Sequence, residues 1–301
     1  MKHCIQCISP VSTSARLCTA CGLFLRHYDR KRVDHEVRTF QKGAIEDGAT
    51  LLEFSGGRHS CITLSLLRQS LNLNVIAVTL NNGFMPDAVI AQAKRISNNL
   101  GTRHLVVFDP FDVDSILEPE GGIAMEKCCN ICNQKISSAV LGIARLLGIR
   151  WVANGENKYR SLLPRVTSLG TIASDNGKHY VNTINLPFAL SVNRNAGDQI
   201  LKKIGWKETK VSGLSSNCLV PWLSRESRTP CSSRNALCEL VAAEVRTGYL
   251  TRDEGFAMIR GVSAATTSQL SQKLRSIKSR LKGCAAPIVV YDSGGHIQHK
   301  H

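Results

Sequence analysis

From Ala49 onward the sequence alternates short, apolar, β-rich runs with segments patterned for helices, and few architectures accept such a chain. Ala49–Phe54 reads as a strand and Cys61–Leu71 as a helix. Asn74–Leu80 is a second strand and Asp87–Leu100 its helix. Arg103–Phe108 is a third strand, Ile131–Leu147 a helix, and Arg150–Ala153 a fourth strand. Short strands alternating with helices imply a parallel sheet covered on both faces. The expected fold class is α/β, with a doubly wound parallel sheet. Ligands of such sheets lie at the carboxyl ends of the strands, near the reversal of strand order. Three loops should meet there: Ser55–Ser60, Asn81-Asn82-Gly83 and Gly155-Glu156-Asn157.

The first loop carries the clearest chemistry. Gly56 and Gly57 let the backbone turn tightly and approach a ligand with no Cβ in the way. Unpaired amides at the start of the next helix favour a phosphate. Ser55 and Ser60 add hydroxyl donors. An ordinary strand-to-helix turn has the same composition, so the loop alone leaves both readings open.

The stretch Ser55-Gly56-Gly57-Arg58-His59-Ser60 resembles the SGGxDS pyrophosphate loop (PP-loop) of the ATP pyrophosphatase superfamily. Ser55, Gly56, Gly57 and Ser60 match, and His59 stands where that pattern has the Asp associated with magnesium and pyrophosphate. The spacing is not that of a Walker-type loop. The resemblance implies a sheet of the HUP/PP-loop type. It also implies ATP with Mg²⁺, bound through Ser55, Gly56, Gly57, Arg58, His59, Ser60, Asn81, Gly155 and Glu156. Glu156 is the local candidate for a magnesium ligand in place of the lost Asp; a loop or helix-capping carboxylate is the other reading.

The sequence has 12 cysteines. Their number, with no apolar leader at Met1-Lys2-His3-Cys4, predicts metal or redox chemistry in a cytoplasmic protein and not a disulfide framework. Cys4, Cys7, Cys18 and Cys21 form two CxxC pairs that can offer four thiolates to one Zn²⁺, a zinc-ribbon-like, structural arrangement with no open coordination position. Cys129 and Cys132 form another CxxC, expected at a helix N-terminus beside Lys127, where thiolate is favoured. Cys218 lies far along the chain in a polar loop, and Cys128 is a spare. The set Cys129, Cys132 and Cys218 resembles that of tRNA-thiolating PP-loop enzymes, in which such cysteines hold an iron–sulfur cluster (here a 4Fe–4S cluster) or act as a persulfide and resolving pair. A second structural metal site, or small buried apolar side chains, is the competing reading.

Three sections are expected: a metal module with connector over 1–42, an ATP-binding α/β domain over 43–193, and a basic, mainly helical region over 194–301. Net charge is +15. The first section has eight Lys/Arg against three acids, the second thirteen against twelve, and the third seventeen against eight. The basic ends suit a polyanion such as tRNA, or simply a solvated surface. Arg160–Tyr180 reads as a polar loop rich in turns, suited to covering a substrate, and Arg225–Arg234 as an exposed basic loop. Asn235–Arg246, Thr251–Arg260 and Ser263–Lys282 read as helices, with a capping box at Thr251 and Glu254. Ile288–Tyr291 offers a last strand, and His296, His299 and His301 a disordered tail. No apolar run approaches the ~20 residues that span a bilayer.

The resemblance implies attack of a substrate carbonyl oxygen on the α-phosphate of ATP, release of pyrophosphate, and displacement of AMP by a nucleophile. Three readings follow. The first is sulfur transfer to a nucleobase, either a free guanine-like base or a tRNA base, with a sulfur-donor protein and a homo-oligomer both open. The second is amidation of an N-acetyl sugar: Cys4–Cys21, Gly155-Glu156-Asn157 and Val245–Gly255, which resembles a VRxGxxTRxEA segment, are similar to N-acetyl sugar amidotransferases. The third is a lapsed, nucleic-acid-binding protein.

Overall fold

A six-stranded sheet organises the chain. The computed structural model describes residues 2–117, 123–162, 165–174, 177, 179–209, 217–224, 236–261 and 266–281. The basic stretch Arg225–Arg234, the strand expected at Ile288–Tyr291 and the histidine tail lie outside the described residues. The sheet contains β3 (Thr50–Glu53), β4 (Val75–Asn81), β5 (Arg103–Phe108), β6 (Trp151–Asn154), β9 (Leu169–Ala173) and β10 (Tyr180–Asn185). Its order is β5-β4-β3-β6-β10-β9, parallel throughout except for the antiparallel edge strand β9.

Period-two alternation divides the sheet's side chains between two cores. Leu52, Ala77, Ala153 and Ile184 face α2 (Arg30–Glu46), α3 (Arg58–Ser65), α4 (Asp87–Asn99), the short α6 (Leu186–Ala189) and α7 (Arg194–Lys203). Leu51, Ile76, Val78, Val152 and Val181 face α5 (Met125–Leu147). Helices on both faces make the sheet doubly wound, as the alternation predicts. Beyond the strand carboxyl ends a third apolar cluster joins Phe84, Phe111 and Met125 to α8 (Val220–Leu223) and α11 (Thr267–Leu281). Among the described residues no helix is long and apolar enough to cross a membrane.

Three local expectations are corrected. The helix after β3 begins at Arg58, not Cys61, and a wide turn closed by Leu71 N on Leu66 O ends it. Helix α5 begins at Met125, six residues before the apolar periodicity becomes visible. The region expected to be a loop from Arg160 to Tyr180 holds β7 (Arg160–Leu162) and β8 (Arg165–Thr167), a hairpin, and then β9. These strands are short, and β9 is an edge strand with no fully buried residue, so no apolar period marks them. The connector helix α2 is tied to the hairpin by buried Glu36, which accepts from Thr167 Oγ1 (2.6 Å), Ser168 N (2.8 Å) and Ser168 Oγ (2.6 Å).

The amino-terminal module comprises β1 (Lys2–His3), β2 (Pro10–Val11) and α1 (Thr19–His27). The sulfur atoms of Cys4, Cys7, Cys18 and Cys21 all lie within 4.8 Å of one another, and Cys7 Sγ is 3.7 Å from Cys18 Sγ. A tetrahedral zinc with ~2.3 Å bonds to sulfur needs a sulfur–sulfur edge of about 3.8 Å, so the set fits the ion. The sequence does not foreshadow Arg246. Its Nε donates to Cys21 Sγ at 3.4 Å and its second nitrogen reaches Cys7 Sγ at 3.8 Å, so a guanidinium faces the sulfur atoms. Arg246 ends α9 (Ala236–Arg246). The turn after it leads into α10 (Arg252–Arg260), whose capping box at Thr251 and Glu254 forms as expected. The sulfur cluster and the faces of α9 and α10 share one apolar core of Cys238, Val241, Val245 and Ile259.

Buried His104 on β5 fixes the end of β3. Thr79 donates its only hydroxyl proton to the Phe54 carbonyl, so His104 Nε2, 2.7 Å away, is the donor to Thr79. Burial pushes the His104 imidazole down to about 4, with Lys94 adding to the effect.

Two outcomes follow. A chelator that strips the four thiolates should speed amide exchange over Val241–Leu250 together with residues 2–27, while β3, β4 and β6 stay protected; equal loss everywhere would contradict a local role. Because His104 stays neutral when folded but charges when unfolded, its contribution is full above pH 6.5 and is lost as pH falls towards 4. Urea unfolding should show His104→Gln removing up to about 1.4 kcal/mol per pH unit of acid sensitivity across that window.

Candidate active site

Strand order reverses between β3 and β6, and the loops after these strands form the crevice. Gly56 has φ +69°, and a Cβ there would lie 2.9 Å from Ala93 Cβ and 3.2 Å from Val89 O, so only glycine fits. Its carbonyl accepts from Trp206 Nε1 at 3.2 Å. Gly57 caps α3, and the first intrahelical bond runs from Cys61 N to Gly57 O (3.0 Å). The amides of Arg58, His59 and Ser60 therefore precede that ladder, as helix geometry requires. Ser55 Oγ lies 3.2 Å from Ser60 Oγ, and Ser60 Oγ donates to Gly57 O at 3.1 Å. From the other strand, Gly155 comes so close that a Cβ would sit 2.8 Å from Ser60 N.

A cavity of about 350 Å³ opens on these loops, lined by Ser55, Gly57, Arg58, His59, Ser60, Gly155 and Glu156, with Glu53 at its base. Glu156 Oε1 pairs with Lys158 Nζ at 2.6 Å. Glu53 and Glu156 are the carboxylates available to a magnesium ion here. Asn81 is turned to its own loop, accepting from Gly83 N at 3.1 Å. Its neighbour Asn82 lines the cavity instead, a distinction the sequence gives no means to draw.

A second cavity of about 620 Å³ adjoins the first. Arg58, His59, Asn82, Cys132, Asn133, Asn217 and Cys218 line both. The larger one adds Cys128 and Cys129, apolar Phe111, Met125, Val220 and Leu250, and the charged groups Arg194, Glu208 and Glu244. The structure thus brings the far-separated Cys129, Cys132 and Cys218 to one place, beside the glycine loop. Among the described residues, the four amino-terminal cysteines are the group gathered closely enough for a single metal ion.

The expected electrostatics of these thiols is corrected. Cys129 and Cys132 lie in the second and third turns of α5, past the amides that would favour thiolate. Burial pushes the Cys132 thiol up, against the pull of a hydrogen bond from Asn82 Nδ2 at 3.5 Å. Burial also pushes Cys218 up to about 12, with Cys132, Cys129 and Cys128 adding to it.

Two further clusters escape sequence reasoning because their members are distant along the chain. Arg58 forms an ion pair with Asp198 and lies 5.3 Å from the centre of the Trp206 ring, which secures the glycine loop to α7. His59 Nδ1 lies 3.6 Å from Glu244 Oε1, and its ring packs edge-on against Tyr249 at 4.5 Å. Burial pushes the His59 imidazole down to about 4, with Arg58 adding to it. Burial pushes the Glu244 carboxyl up to about 7, against Arg58 and Arg194.

No protein-family model matches the chain. An uncharacterized protein of Methanocaldococcus jannaschii is 23% identical over 246 residues, covering 79% of this chain and 83% of that protein. NMN synthetase from Francisella tularensis has a solved structure similar to this one, with a TM-score of 0.42 and 10% identity over 85% of this chain and 95% of that one. The U34-tRNA thiolase NcsA from Methanococcus maripaludis, solved with its 4Fe–4S cluster, gives a TM-score of 0.42 and 14% identity over 87% of this chain and 89% of that one. At these identities and scores the likeness describes an arrangement of strands and helices and extends to no residue of the site.

Proposed function

We propose that this chain is an ATP-using enzyme of the pyrophosphate-loop class that adenylates a carbonyl oxygen of a nucleobase and replaces it with sulfur. One observation carries the reading: Cys132 and Cys218 line both the cavity at the glycine loop and the larger one beside it. ATP takes the smaller cavity and the acceptor the larger, so the bond to be broken lies at their junction. In this reading residues 1–42 are the metal module and connector, 43–193 bind the nucleotide, and 194–301 help to close the acceptor cavity.

The chain's own residues supply positioning and charge. First-turn amides of α3 with the Ser55 and Ser60 hydroxyls hold phosphate oxygens, which stabilises charge as pyrophosphate leaves. Glu53 and Glu156 hold magnesium. Cys129, Cys132 and Cys218 hold an iron–sulfur cluster or carry the sulfur themselves. When bound, magnesium neutralises the departing pyrophosphate and a cluster offers sulfide. The base, free or within tRNA, is kept beside the α-phosphate by the apolar wall of Phe111, Met125 and Val220.

A second reading keeps the adenylation and uses ammonia on an N-acetyl sugar. It is favoured by the raised Cys132 and Cys218 thiols, which as free groups are poor nucleophiles.

Pyrophosphate release from ATP, measured with guanine, bulk tRNA or UDP-N-acetylglucosamine, separates these readings. Under sulfur transfer, Cys132→Ser should lower thiocarbonyl product at least about a hundredfold while leaving ATP affinity intact. Full turnover in that variant, with nitrogen transferred to the sugar, would establish the second reading. A protein that binds no ATP would overturn both.

A further inference from the structure

The residue that breaks the glycine-loop pattern is the one at the junction of the two cavities. His59 lies in the first turn of α3 and lines both cavities. Glu244, from α9, approaches its Nδ1 at 3.6 Å, and Tyr249 covers one side of the ring. Nε2 is shielded from solvent and finds no hydrogen-bond partner among the described residues. A buried polar nitrogen without a partner costs about 1–3 kcal/mol, and native structures retain one chiefly where a ligand or function meets it. Aspartate in this place would be acceptor-only and anionic; histidine with a carboxylate behind it can take up a proton and give it back.

We infer that His59, backed by Glu244, carries a proton to and from the acceptor, and that the acceptor is an amide or lactam with N–H beside the activated carbonyl. This inference rests on the adenylating function proposed above and deepens it. As the carbonyl oxygen bonds to the α-phosphorus, the bond from that phosphorus to pyrophosphate breaks and its electron pair leaves with pyrophosphate. The N–H proton passes to His59 Nε2 as N=C forms, and Glu244 faces the resulting imidazolium. Hydrosulfide, or ammonia in the second reading, then adds to the carbon. The C–O bond breaks, and His59 returns its proton to the phosphate oxygen of departing AMP. With hydrosulfide this accounts for every proton; ammonia, once added, sheds one further proton, which the released pyrophosphate takes up, so the pair serves both nucleophiles.

The surroundings suit this cycle. Arg58 on α3 disfavours a resident positive charge on His59 and favours charge on Glu244, as does Arg194 on α7; Asp198 on α7 pairs with both arginines, Glu208 lines the same cavity, and Tyr249 packs against the ring. Burial keeps His59 neutral and free to accept a proton at neutral pH, and it pushes the Glu244 carboxyl up only to about 7, where it is ionised in part and can face an imidazolium as a carboxylate.

The test uses the full chain, ATP and three N–H-bearing probes: guanine, bulk tRNA and UDP-N-acetylglucosamine. At least one should stimulate pyrophosphate release, and the N-methylated counterpart of the responsive probe should be inert. His59→Gln should lower kcat by about 10² to 10⁴, with an unchanged urea-unfolding midpoint reporting that the variant is folded. Glu244→Gln should cost less and should move the acid limb of the rate profile to lower pH, because imidazolium loses its counter-charge; this profile decides the matter if His59→Gln fails to fold. Unchanged kcat in His59→Gln, an active N-methylated acceptor, or an unmoved limb in Glu244→Gln would overturn the proton role. ATP binding without stimulation by any probe would overturn the acceptor class alone, whereas no ATP binding would remove the adenylating function beneath it.

Discussion

The approach of the β6 loop to the first turn of α3 is the constraint on which the rest of the site depends. Gly155 can lie against Ser60 only without a side chain, since a Cβ would meet the Ser60 amide nitrogen at 2.8 Å. That contact is possible because β3 and β6 are adjacent parallel strands at the reversal of strand order, each ending at the same level. Thr79 and His104 fix the carbonyl of Phe54, and Trp206 fixes that of Gly56, so the loop between them has its direction set before any ligand arrives. Preorganised amides are worth more than mobile ones because no reorganisation is needed when charge develops.

A second consequence concerns α9. The helix places Arg246 among the amino-terminal sulfur atoms and Glu244, two residues earlier, beside His59. The amino-terminal cysteine module and the larger cavity are thus connected through one short helix, and Val241, Tyr249 and Leu250 belong both to the module's core and to the cavity wall. A zinc ion held by four thiolates would have no open position for chemistry, so a metal there would serve to hold this helix in place. The segment Val245–Gly255 accordingly has physical reasons for its composition: Arg246 for the thiolates, Tyr249 for the histidine ring, Thr251 and Glu254 for the cap, and Gly255 because a Cβ would lie 2.6 Å from Val245 Cγ2.

The thiols near the glycine loop illustrate how packing overrides a local rule. A CxxC in a loop before a helix promises lowered pKa values, but the helix starts earlier and burial raises Cys132 and Cys218 instead. Free thiols in such a place are neutral. They become nucleophilic or ligating only when a metal, a cluster or an attached sulfur atom changes their chemistry, which is how this cavity differs from a simple thiol-activating site.

The sequence by itself determined what short-range rules govern. The strand–helix alternation gave the doubly wound sheet, the spacing of Cys4, Cys7, Cys18 and Cys21 gave the sulfur cluster, Gly56 and Gly57 gave the amide-lined bend, and Thr251 with Glu254 gave a helix start. Each is written in contiguous patterns or fixed spacings of the chain, whose geometry the local backbone dictates. Only the tertiary structure decided that Cys218 joins Cys129 and Cys132, that Asn82 and not Asn81 lines the cavity, that Arg246 meets the thiolates, and that Glu244 backs His59. Those pairings, and the pKa shifts that go with them, follow from which helix ends burial brings together, and no local pattern records that.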